Sequence, residues 1–80
     1  MTEIINCEVH DHFEIACMRR ALVEVQFKNG ETISGRAIDL QSKDGREYFT
    51  MEVERGKYEC NLKDLSTLTF IDSGKSINVF

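Results

Sequence analysis

Ala21-Leu22-Val23-Glu24-Val25-Gln26-Phe27-Lys28-Asn29-Gly30-Glu31 decides the fold. Val23, Val25 and Phe27 alternate with Glu24, Gln26 and Lys28, the period of two that marks a strand with one buried face. Asn29-Gly30 follows at once. Both residues tolerate positive φ, so the pair predicts a type I′ hairpin that folds the next segment back onto the first. The return strand runs from about Glu31 to Leu40. Gly35 lies inside it and the alternation shifts near Ala37 and Ile38, which predicts a bulge or a sharp bend rather than a flat ribbon.

Working outward, Ser42-Lys43-Asp44-Gly45 reads as a turn. Tyr48 to Glu54 reads as a third strand with Phe49, Met51 and Val53 on one face, and Arg55-Gly56 turns it back. Tyr58, Cys60 and Leu62 then alternate with Lys57, Glu59 and Asn61 in a fourth strand. After a brief turn at Lys63-Asp64, Leu68 and Phe70 mark a fifth, ending near Ile71. The pattern of residues 76–80 suits either a sixth short strand or a frayed end. Before the first strand, Asp11 is placed to cap a helix, and Glu14 three positions on completes a capping-box pattern. Phe13, Ile15, Ala16, Cys17 and Met18 follow. Arg19 and Arg20 stand where a helix C-terminus favours positive charge.

The expected fold is therefore mainly β with one N-terminal helix, a small Sm-like (SH3-like) five-stranded bent barrel. Closing the sheet removes exposed edges, and the helix would cover one open end with Phe13, Ile15 or Met18. An OB-type barrel is the other candidate. It carries its helix between the third and fourth strands, where this chain has only a tight turn. Eighty residues predict a single domain over 1–80: a lead-in at 1–10, a helix at 11–19, the barrel at 21–71 and a tail at 72–80.

Composition narrows the function. Ten Lys or Arg against 14 Asp or Glu give a net charge of −4, which opposes nucleic-acid binding and favours a basic protein partner. Lys43, Arg46, Arg55 and Lys57 sit at turns with Tyr48 or Tyr58 nearby, but acids are interleaved throughout. A mixed solvated surface accounts for them better than an RNA patch. No stretch approaches the length of a membrane span and no secretory leader is visible, so the expected location is the cytoplasm. The odd cysteine count (Cys7, Cys17, Cys60) reads as a reduced chain. No phosphate loop, dinucleotide fingerprint or nucleophile elbow is present, and the expectation is a protein that is not an enzyme and uses no cofactor.

Cys7, His10, His12 and Cys17 hold soft ligands that suit zinc, but not at a finger spacing, and Cys17 and Cys60 read better as core residues. No metal is expected. The most polarised region is residues 1–15, with Glu3, Glu8, Asp11 and Glu14 and no Lys or Arg. Capping and the helix dipole explain Asp11 and Glu14. Glu3 and Glu8 are left over, and a negative docking face explains all four.

At these residues the chain resembles the Rho-binding antiterminator (Rof) family, small bacterial inhibitors of Rho-dependent transcription termination. The likeness runs through Ile5-Asn6-Cys7, Asp11, Glu14, Ala16-Cys17 and Lys28-Asn29-Gly30-Glu31. It continues in Ala37, Asp39-Leu40, Glu47-Tyr48 and Leu62-Lys63-Asp64, to about Phe70. The resemblance implies binding to the RNA-binding N-terminal domain of the Rho hexamer. It also implies a block on RNA loading at Rho's primary sites, with no catalysis. It assigns partner binding to Glu8, Asp11 and Glu14, with Asn6 and His10 as neighbours. Asp39 and Glu47 match the family pattern, with a structural role equally open. The chain departs from the family at Val9, where an acid can stand, and at His10, where an aromatic can. The alternative function is an Sm-like protein acting directly on RNA, which needs a contiguous basic face that the sequence lacks. A monomer is expected.

Overall fold

The computed structural model describes residues 7–79, with side chains from Val9 onward. Helix α1 spans Cys7–Arg19. Val9, Phe13 and Ala16 recur at spacings of three and four and so share one face. All three are buried, and the Phe13 ring meets Phe49 edge-on with centroids 4.9 Å apart. Ile15 and Met18, expected to face the core with Phe13, are instead 43% and 83% exposed. At 3.6 residues per turn they point roughly 200° and 140° away from Phe13. Residues 7–10, expected as a lead-in, are already helical. Asp11 therefore lies in the second turn, where no free amide remains for it to cap.

The helix ends in a Schellman turn. Ala21 N–H bonds the Ala16 carbonyl at 3.0 Å and Arg20 N–H bonds the Cys17 carbonyl at 3.2 Å. Arg20 takes the left-handed conformation (φ 50°) at the position where glycine is usual.

Six strands follow: β1 Leu22–Phe27, β2 Thr32–Lys43, β3 Arg46–Val53, β4 Gly56–Asn61, β5 Leu65–Phe70 and β6 Ser76–Asn78, with a 3₁₀ turn at Leu62–Asp64. Neighbouring strands in the sheet run antiparallel in the order β4-β3-β2-β1-β5-β6. Strand β2 is long enough to serve two partners. Thr32–Arg36 pair with β1 and Arg36–Lys43 pair with β3. The expected irregularity appears as a bulge between Ala37 and Asp39. A Cβ on Gly35 would collide with the Glu52 carbonyl oxygen, so only glycine lets β2 cross β3 this closely.

The sheet is open, and the expected five-stranded closed barrel is wrong. Closure requires β5 to pair with β4. That edge of β5 is occupied by β6, through Thr67↔Asn78, Leu68↔Ile77 and Thr69↔Ser76. The segment that sequence pattern left between strand and frayed end is therefore the one that keeps the sheet open. Tyr58, expected inside, is 40% exposed on the free edge strand β4 and stacks edge-on against Phe27.

Two turns also exchange roles. Asn29-Gly30 does not form a type I′ turn, because only Gly30 has positive φ. Gly30 N–H bonds the Phe27 carbonyl at 2.9 Å, and Phe27 N–H bonds Glu31 at 2.8 Å. This is the longer hairpin with a glycine bulge. The type I′ geometry occurs at Asp44-Gly45, where both residues have positive φ between the paired Lys43 and Arg46. The core joins α1 to the concave side of the sheet through Val23, Val25, Phe49, Met51, Leu65 and Leu68, all fully buried. No helix among the described residues is long and apolar enough to cross a membrane.

Candidate functional site: an acidic face on helix α1

With Val9, Phe13 and Ala16 turned to the core, the opposite positions of α1 must meet water. Asp11 and Glu14, three residues apart, share that outer surface, and both are exposed. His10 stands beside them, half-buried where the helix meets the sheet. Its Nδ1 is 3.2 Å from Oε1 of Glu14 and its Nε2 is 3.5 Å from Oε2 of Glu47. The nearest ligand-type atoms of His10, Asp11 and Glu14 lie within 4.8 Å of one another.

Glu47 enters from the start of β3 because the Asp44-Gly45 hairpin folds this strand back beneath the helix. Ser42, its register partner on β2, donates its hydroxyl to Oε2 of Glu47 at 2.7 Å and fixes the carboxylate. Asp39 belongs to the same side. The β2 bulge turns it outward, Leu40 N–H and the Gln41 amide bond its two oxygens at 2.9 Å, and its charge is felt at Cys17 between helix and sheet.

The face therefore gathers carboxylates from α1 (Asp11, Glu14) and β3 (Glu47) around one imidazole, with Asp39 of β2 near Cys17. Among the described residues no Lys or Arg forms an ion pair with any of these acids, which leaves their charge directed to solvent or to a partner.

Of the residues expected to bind a partner, Asp11, Glu14 and His10 are brought together. Asn6 and the Glu8 side chain lie outside the described residues. Glu47 and Asp39 join the face, although their sequence positions alone gave them no part in it. The cysteines and histidines weighed as zinc ligands are not brought together among the described residues. His12 does not join the His10 group, and Cys17 turns toward the sheet. Burial, with the Asp39 and Glu14 carboxylates nearby, pushes the Cys17 thiol up to about 11. The Cys7 side chain lies outside the described residues.

Comparison with known proteins gives concordant matches. Residues 4–79 match the family model described as Modulator of Rho-dependent transcription termination (ROF). The chain is 29% identical over 70 residues to Protein rof of Escherichia coli (strain K12), covering 88% of this chain and 83% of that protein. Protein rof of Shigella flexneri gives the same figures. The structure of YaeO bound to magnesium from Vibrio cholerae O395 superposes with a TM-score of 0.75 at 24% identity. The match covers 85% of this chain and 94% of the other, and shows a shared fold.

Proposed function

The chain belongs to the ROF family of modulators of Rho-dependent transcription termination, and from that premise we propose that it acts by binding Rho itself. In this reading the acidic face of α1 occupies the RNA-binding N-terminal domain of the Rho hexamer and keeps the transcript from loading. Membership makes the chain a regulator of transcription rather than a catalyst. The observation that carries the mechanism is the convergence of Asp11, Glu14 and Glu47 around His10, with no Lys or Arg among the described residues paired to them. A surface that binds RNA does so largely with Lys and Arg aimed at phosphates. A set of carboxylates presented by α1 and β3 satisfies the same cations, so the two ligands exclude each other. Glu8, Asp11 and Glu14 are assigned the partner contacts, with His10 and Asn6 beside them and Glu47 added from the geometry. The chain's own net charge of −4 disfavours direct action on RNA.

The test is competition. Purified Rho is held with a labelled cytidine-rich RNA and the protein is titrated in at two salt concentrations, with a parallel titration against the RNA alone. The expected result is displacement that weakens with salt, and no binding to free RNA. Asp11→Lys with Glu14→Lys should weaken displacement about tenfold or more, because each reversal replaces attraction with repulsion. Direct RNA binding without any effect on Rho overturns the proposal, as does an unchanged double variant.

A further inference from the structure

The far end of α1 has the opposite character. Arg19, Arg20 and Arg36 line a half-open cavity of about 620 Å³ together with Leu22, Phe70 and the Asp72-Ser73 turn. Three arginines line one site in a chain of net charge −4. Among the described residues none of them forms an ion pair with an acid, Asp72 included. Their backbone is fixed. Nη1 of Arg36 donates to the Arg20 carbonyl at 2.8 Å, tying β2 to the end of the helix. Ile71 N–H bonds the Leu22 carbonyl at 3.0 Å and ties β5 to the start of β1. Arg20 also occupies the left-handed helix-ending position that glycine fills at lower conformational cost. The site thus holds a cation where backbone preference alone would select no side chain. Leu22, 38% exposed, and Phe70 add apolar surface to its wall.

We propose that this cavity is a second docking site, taking a peptide segment of a partner protein in which carboxylates alternate with apolar side chains. Arginine pairs with carboxylates through two parallel hydrogen bonds, and the apolar wall accepts the residues between them. RNA fits less well. It needs a run of phosphate contacts and exposed stacking rings, whereas this cavity offers one half-buried ring, Phe70, and an acid on its wall. The site faces a partner opposite in charge to the one met by the acidic face, and it stands whether or not that face binds Rho.

The test is a titration of the ¹⁵N-labelled protein, followed by amide chemical shifts. The probe is the peptide Glu-Leu-Glu-Phe-Glu, acetylated and amidated at its ends. Saturable shifts are expected at Arg20, Leu22, Arg36 and Ser73. The neutral peptide Gln-Leu-Gln-Phe-Gln should bind about tenfold more weakly or not at all. Arg19→Gln with Arg20→Gly should lose the response while keeping the fold, since glycine suits the Arg20 backbone. The proposal is overturned by an absence of saturable shifts in the wild-type protein or by equal binding of the neutral peptide. It is also overturned if a cytidine-rich RNA moves the same amides at lower concentration. The same holds if dilution alone moves them, which would place a second copy of this chain in the cavity.

Discussion

Phe13 and His10 lie within one turn of each other on α1, yet their side chains answer to different forces. Phe13 is fully buried and packs its edge on Phe49. Phe13→Ala should cost about 3–5 kcal/mol, through lost transfer energy and the cavity left under the helix. His10 touches Glu14 and Glu47 at the half-exposed margin, where a pair contributes at most about 1 kcal/mol. His10→Ala should therefore shift the urea midpoint only slightly, and equilibrium unfolding of both variants checks the contrast.

Cys17 and Cys60 make a separate prediction. Burial, with Asp64 and Glu59 adding to it, pushes Cys60 up to about 12, and the thiol lies 3.4 Å from the Phe49 carbonyl as a donor. Cys17 stands at about 11. Both values are raised above the ordinary 9.0, so the folded state prefers the protonated thiol. The stability this supplies is fully present below pH 9 and is lost as pH rises toward 11 and 12. Urea midpoints should fall over that window, and less so in Cys60→Val. At pH 8 Cys17 and Cys60 should react with iodoacetamide far more slowly in the folded protein than in the unfolded one, read site by site by mass spectrometry.

At the scale of the element, the end of α1 carries measurable strain. Arg20 sits at φ 50°, and a residue with a Cβ costs about 1 kcal/mol more there than glycine. Arg20→Gly should raise stability by about 0.5–1 kcal/mol, read as a higher melting temperature. If it also weakens peptide binding at the cavity, the strain and the charge are two aspects of one choice.

Elements whose signals are local were legible in the sequence. The alternation in β1, the bulge after Ala37 and the helical stretch through Phe13 all rest on neighbours in the chain. The failures came where a distant segment decides. Asp11 matched a cap by spacing, but the helix begins earlier. Asn29-Gly30 suited a tight turn, but the longer bulged hairpin forms there, and the Asp64 carbonyl holds Lys28 N–H at 2.9 Å from outside it. In the site, Asp11 and Glu14 were readable because they share a helix face. Glu47 was not, since only the β2–β3 hairpin carries it to His10.

For the whole molecule the consequential segment is the shortest strand. Ser76–Asn78 covers the outer edge of β5, and Val79 anchors it, 5% exposed, with its N–H bonded to the Ser66 carbonyl at 2.8 Å. The opposite edge, β4, is protected differently, by the charged pair Lys57 and Glu59 on a short strand. β5 has no such charges: Leu65-Ser66-Thr67-Leu68-Thr69-Phe70 is uncharged and rich in β-favouring residues. Ending the chain at Ser73 removes β6 together with the buried Val79, a loss of about 1.5–3 kcal/mol in apolar burial alone. It also bares a row of unpaired backbone groups along an uncharged strand, the pattern that recruits another strand. The shortened chain should melt at lower temperature and show concentration-dependent association in sedimentation experiments, with the full chain at equal concentration as the reference. Thr67→Lys on the shortened chain should suppress that association by placing a charge on the bared strand. A shortened chain that sediments like the full one would show that the β5 edge needs no cover, and that β6 serves only to seat Val79.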